Sequence, residues 1–372
     1  MRFLRLAFLI ILLHSCSSSS TVEKKSVSIE YHKVELSYAK GFEVYKSKDG
    51  SETKIILYDL EREGQVLDTY YLSKSNIKHE DAKNHFQVPL GDLSIASTTH
   101  SAFLISLGLE KNIKGMSWAQ YAQDPAITSQ IESGFTENIS GAEEVDLEKL
   151  IATGSKAFTN YPFAMSDLGK FKSVNMPLIL VSEYLEETPL ARAEWIKFFG
   201  AFYGEDEKAN EIFSEIEKKY LSLKTKGAFL SSMPMVLIGS EENGVWHMPG
   251  GESLIATFIR DAGGHYLFSD FKGKSNQQVD MEVLLKRAED VNYWGKITNV
   301  DVSLKALGEA SEKLKSLKAI EKGNVFYCNT TSSDYFGAAV MQPEVILADM
   351  IRIIHPTLLP EHQGEYFIIA NN

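Results

Sequence analysis

The chain has 372 residues, 44% of them hydrophobic, and 38 basic against 50 acidic side chains give a formal charge of −12. That balance excludes nucleic acid or an anionic membrane surface as the main partner, and two cysteines, Cys16 and Cys328, exclude a disulfide framework. The length exceeds one comfortable hydrophobic core, so two lobes are expected, and past the first few residues nothing approaches a membrane-spanning apolar run.

The opening stretch MRFLRLAFLIILLHSC sets Arg2 and Arg5 ahead of an apolar run from Leu6 to Leu13, too short to span a bilayer. With Ser15 before Cys16 it resembles a bacterial lipoprotein signal over residues 1–15, in which Cys16 becomes the lipidated N-terminus. His14 departs from the usual small or aliphatic residue, and an ordinary secretory signal is the plainer alternative. Loss of 1–15 removes the two arginines and no acid, leaving 36 basic and 50 acidic side chains, a charge of −14. Residues 16–26, with the serine run 17–20, read as a flexible tether.

Residues 27–87 are predicted as an N-terminal β extension packed on the first lobe. SVSIEYHKVELSY alternates, KIILYDL is a compact run, and Asp49-Gly50 marks a turn. From residue 88 strands and helices alternate: LSIAS as a strand, the hydroxyls of Ser97, Thr98 and Thr99 as a helix cap, and SAFLISLGL as a helix stopped near Gly108. NIKGMSW (strand and loop), DLEKLIATG (helix), KAFTNYP (strand), MSDLGKFKSVN (helix) and PLILVSE (strand) complete a first lobe, 88–190. Residues 191–226 are predicted as a bridging helical segment. In its main helix Ala209, Ile212, Phe213, Ile216, Tyr220 and Leu223 recur at three- and four-residue steps, and the acids Asp206 and Glu207 and the lysines Lys218, Lys219 and Lys224 suit the dipole.

The pattern restarts over 227–372. PMVLIGS reads as a strand, GGESLIATFIRDAGG and MEVLLKRA as helices, VNYWGKI as a strand, LKSLKAI as a helix, NVFYCN as a strand and PEVILADMIRIIHP as a final helix. The expected fold is α/β: two Rossmann-like lobes with mainly parallel sheets, joined by one long rigid helix, plus the N-terminal β extension. A local step recurs in both halves, VDLEKL at 145–150 and VDMEVL at 279–284. With Asp146 and Asp280 as N-caps, Glu148 and Glu282 fall at the second helical position, where the dipole stabilises a carboxylate by about 0.3–1 kcal/mol.

The order LSIASTTHSAFLISLGLEKNIKGMSW, EEVDLEKLIATGSKAFTNY, ARAEWIKFFGAFYGEDEKANEIFSEIEKKY, then VLIGS, a helix ending DAGG, VDMEVLLKRAEDV and LKAIEKGNVFYCN, resembles the TroA-like periplasmic substrate-binding proteins of ABC importers for ferric siderophores, cobalamin and haem. The resemblance runs from residue 88 to about 358 and leaves the N-terminal sheet outside. It implies a lipid-anchored periplasmic binding protein of a bacterial envelope, with ligand in an interlobe cleft, no cofactor and no catalysis. It also implies that Glu148 and Glu282 dock onto arginines of the ABC permease dimer. A surface lipoprotein that captures haem or a glycan without an importer is the rival, and it would need neither glutamate.

Cleft candidates come from loops after strands, where open α/β sheets bind ligands. They are Thr98, Thr99, His100, Trp118, Tyr121 and Tyr161 in the first lobe, and Trp246, His247, Tyr335 and Phe336 in the second. Aromatic walls suit corrins, porphyrins and catecholates. Trp118 and Trp246 lead, because turn-like polar residues flank both. Backbone N–H groups at the helix start after Ser97 would favour an anionic group. His100 reads first as a hydrogen-bonding residue, with haem-iron or metal ligation the alternative, and no linear metal motif is present. These loops hold no Arg or Lys, which points to a neutral or weakly charged chelate, cobalamin or haem.

Enzyme readings fail on inspection. GKS at 273–275 has Phe268 where a phosphate loop needs its first glycine, neither HExxH nor GxSxG occurs, and Cys328 in GNVFYCNT reads as a small buried apolar side chain.

Overall fold

The computed structural model describes residues 29–62, 64–75, 84–141, 144–162, 168–228 and 232–371, so the signal, Cys16 and the tether lie outside the described residues. The N-terminal sheet runs in chain order, Tyr31–Val34, Phe42–Ser47, Glu52–Tyr58, Val66–Ser73 and His85–Gln87, antiparallel except for the last pair. At its first tight turn Asp49 Oδ1 accepts from Ser47 Oγ and Ser51 N, and Gly50 takes φ +70°. The period of two sends Phe42, Val44, Ile55, Leu57, Tyr70 and Leu72 to one buried face. There Phe42 meets Trp195 at 4.8 Å and Phe198 at 5.4 Å, and Tyr70 meets Phe202 at 5.7 Å. Each such burial contributes about 1.5–3 kcal/mol before conformational entropy is subtracted.

A second attachment is polar. The loop that joins the first two strands lays its amides on two buried carboxylates beyond the first lobe's sheet. Ser37 N donates to Glu194 Oε1, Tyr38 N and Ala39 N to Glu194 Oε2, and Lys40 N and Gly41 N to Glu186 Oε1, all within 3.0 Å. Gly41 is required: a Cβ there would lie 2.6 Å from Trp195 Cζ2.

The first lobe's sheet is wholly parallel, in the spatial order Leu178–Leu180, Ala157–Asn160, Leu93–Ile95, Ile113–Met116, Glu137–Asn138. The earliest strand is central and the order reverses on either side of it, so the helix Thr98–Ser106 begins at a topological switch point. In the second lobe the order is His265–Tyr266, Met235–Ile238, Tyr293–Thr298, Val325–Asn329 and Ile368–Ile369, parallel except for the last strand. An antiparallel sheet of Ser240–Glu242, Val245–Pro249 and Asn276–Asp280, not anticipated from sequence, stands beside it. Its turn is Asn243-Gly244, both left-handed at φ +52° and +80°, the dipeptide that a two-residue hairpin selects.

The bridge has its long helix at Asp206–Ala228, preceded by two short ones, Pro189–Glu194 and Ile196–Tyr203, the second ended by Gly204 at φ +73°. In the long one Ala209, Phe213, Ile216 and Tyr220 are buried as their spacing predicts. It is held from both sides: Tyr38 OH of the N-terminal sheet donates to Glu217 at 2.7 Å, and Tyr220 OH donates to Asp261 Oδ2 of the second lobe at 2.8 Å. The predicted helix LKSLKAI is two short ones, Glu312–Lys315 and Lys318–Glu321, because Leu317 is extended between them.

Candidate functional site

Between the lobes lies a cavity of about 560 Å³. Thr99, Tyr184, Glu186, Pro189 and Arg192 line it from the first lobe and the bridge, and Ser240, His247, Met248, Glu252, Lys274, Tyr335 and Phe336 are among those facing them. Gly239 shapes the far wall. At φ +132°, with any Cβ 2.1 Å from His247 O, only glycine lets the strand Met235–Ile238 turn into the hairpin.

Four of the ten sequence candidates meet here: Thr99, His247, Tyr335 and Phe336. Thr99 Oγ1 donates to Glu183 Oε1 at 2.6 Å, which fixes its rotamer, and Tyr335 packs edge-on against Phe336 and Phe367. His247 Nδ1 lies 3.3 Å from Gln278 Nε2 on the adjacent strand. Thr98 joins the lobes instead, donating through Oγ1 to Phe336 O at 2.7 Å.

The other five do not line the cavity. Trp246 is fully buried, its ring against Trp294 and its Nε1 donating to Ile238 O at 3.3 Å. The polar residues beside it are the hairpin turn, and the strand pleat past that turn sends Trp246 inward and His247 outward. Trp118, left-handed at φ +56°, and Tyr121 are exposed, on a loop whose Gln123 Nε2 donates to Thr330 O of the second lobe at 2.8 Å. Tyr161 stands behind Tyr184, ring centroids 5.1 Å apart, and also touches His100. His100 is fully buried, its Nδ1 2.8 Å from Thr159 Oγ1, and burial pushes its pKa down to about 4 against the opposing pull of Glu183. Its Nε2 has no hydrogen-bond partner among the described residues and lies 3.8 Å from Glu183 Oε2. Among the described residues no group of three or more His, Cys, Asp or Glu is placed to hold a metal ion.

The expectation of a cleft without cations is corrected. Arg192 lines the cavity with Nε buried and without a hydrogen-bond partner among the described residues, and Lys274 lines it while its Nζ donates to Leu185 O at 2.9 Å and lies 3.6 Å from Glu187. Loop-by-loop reading missed both because Arg192 sits on a bridge helix and Lys274 ahead of the hairpin's partner strand. Glu186 was missed likewise. Burial raises its pKa, while hydrogen bonds from Trp195, Gly41 and Lys40 and the charge of Lys274 act the other way.

Outside the cavity, Glu148 and Glu282 are both exposed near the starts of the helices Leu147–Ala152 and Met281–Arg287. Asp146 Oδ1 caps the first, accepting from Glu148 N and Lys149 N at 3.0 and 3.1 Å. Asp280 makes no capping hydrogen bond, because it is also the last residue of the strand Asn276–Asp280. Cys328 is buried in the strand Val325–Asn329, which pushes its thiol up to about 11.

The family model described as "Periplasmic binding protein" matches residues 177–331. An uncharacterised lipoprotein of Methanocaldococcus jannaschii is 25% identical over 297 residues, covering 76% of this chain and 70% of that protein. Among solved structures, a periplasmic binding protein from Veillonella parvula aligns with TM-score 0.63 at 13% identity, over 82% of this chain and 99% of that one. The periplasmic haem-binding protein HutB of Vibrio cholerae aligns with TM-score 0.57 at 14% identity, over 72% and 98%. At such identities the solved structures establish a shared fold.

Proposed function

From a chain that carries the TroA-like periplasmic binding protein fold, with the family pattern in residues 177–331, we propose a substrate-binding protein of an ABC importer. It would be anchored to the envelope through a lipid on Cys16, and it would carry a ferric siderophore, cobalamin or haem to a permease without catalysing a reaction. The observation that supports this best is the cavity between the lobes. Its volume, about 560 Å³, lies inside the range of small-molecule sites, and its lining combines apolar side chains such as Met248, Phe258 and Ile346 with polar and charged ones. An Arg192 nitrogen without a partner among the described residues favours a ligand that brings a carboxylate, phenolate or carbonyl oxygen, since an unpaired buried donor is destabilising. Haem, the named ligand of the Vibrio neighbour, is one compound of that kind.

Two measurements test the proposal. Absorbance titration with ferric siderophores, cobalamin and haem should give saturable binding with at least one, and no binding to any would refute a chelate carrier. In a reconstituted importer, joint substitution Glu148→Ala and Glu282→Ala is expected to abolish uptake while ligand affinity stays near wild type. An equal fall in affinity would assign these glutamates to stability or to the cleft.

A further inference from the structure

The loop Ser37–Gly41 holds two neighbouring carboxylates, and it treats them differently. Glu194 is closed on both sides: Oε1 accepts from Ser37 N and Lys197 Nζ, and Oε2 accepts from Tyr38 N and Ala39 N. Glu186 is closed on one side alone. Its Oε1 takes three donors, Lys40 N at 3.0 Å, Gly41 N at 2.8 Å and Trp195 Nε1 at 3.0 Å, whereas Oε2 has none among the described residues. Glu186 is 2% exposed and lines the interlobe cavity. An anchor that needed only to hold the sheet would look like Glu194. Three donors crowded on one oxygen are the pattern of a carboxylate, and they fix which oxygen is left over.

We infer that Glu186 Oε2 is a ligand-facing acceptor, so that the bound molecule turns a hydrogen-bond donor, a carboxamide, hydroxyl or ammonium group, toward the N-terminal sheet. This inference rests on the carrier reading above and narrows it. A ligand edged only with carboxylates satisfies Arg192 but meets like charge at Glu186, so the two groups demand different chemistry. The N-terminal sheet, outside the matched family segment 177–331, thereby acquires a part in selectivity: its Lys40 and Gly41 amides hold the carboxylate with one oxygen free.

The test uses the whole mature protein, three probes and Glu186→Gln. Cyanocobalamin has a rim of carboxamides, a ferric trihydroxamate with a free amine tail presents an ammonium, and haem presents carboxylates. The glutamine keeps an oxygen for the three donors and turns an N–H₂ toward the cavity. The donor-bearing probe that wild type binds should weaken by about 10-fold or more, and haem should bind as well or better. Opposite shifts cannot come from misfolding, and a thermal melt near wild type would agree with them. If all probes move together, or none moves, the inference is wrong. If no probe binds wild type, the carrier reading fails first and takes this one with it.

Discussion

His100 is a neutral imidazole held inside the first lobe beside a buried carboxylate, and its chemistry has a sign that can be tested. Folding lowers its pKa from 6.5 to about 4, with burial the main cause. The unfolded chain therefore takes up a proton near pH 6.5 that the folded protein refuses until about pH 4. Its contribution to stability is complete above the higher value and is lost as pH falls toward the lower, by ~3 kcal/mol at most. Urea midpoints measured above pH 6.5 and near pH 4 should fall less for His100→Gln, which cannot titrate, than for wild type. Equal falls would mean that other groups carry the acid sensitivity. Sequence could flag this histidine but not its role, because nothing local says that Thr159 and Glu183 close over it. Thr99, one residue earlier, was legible as a cavity residue because a helix start at a sheet's switch point has only one place to be.

At the scale of elements the two matching helix starts prove chemically unequal. Asp146 accepts two backbone amides and caps its helix, while Asp280 is spent finishing a strand. Asp146→Ala is expected to cost about 1 kcal/mol in urea unfolding and Asp280→Ala a few tenths. Equal costs would show that the hydrogen bonds do not set the difference. Strands and amphipathic helices were legible wherever their period was long, as in the bridge helix Asp206–Ala228. The failures have local causes. Asn243-Gly244 was a strong hairpin signal that, once read, puts Trp246 in the core by simple alternation. Leu317 broke a helix through a backbone conformation that no pattern of apolar residues encodes.

For the whole molecule, fold class was carried by the order of elements, whereas the charges of the cavity were not legible. Glu186 and Arg192 come from one stretch at the start of the bridge and Lys274 from the second lobe, and only packing brings them to one space. Around that space the N-terminal sheet, the bridge and the second lobe also meet at one exposed carboxylate. Glu187 accepts from Lys40 Nζ at 3.0 Å and lies 3.6 Å from Lys274 Nζ, with more than a third of each of the three side chains open to water. Such pairs weaken as dissolved salt screens them. On the carrier reading proposed above, the residence time of a bound ligand should therefore shorten with ionic strength: stopped-flow dissociation is expected to accelerate about two- to tenfold between roughly 0.05 and 0.5 M salt. Glu187→Gln, which leaves the cavity lining untouched, should flatten that dependence, and an unchanged slope would dismiss the junction as a brake on release. On that reading the protein would grip longest in dilute surroundings and let go sooner in brine.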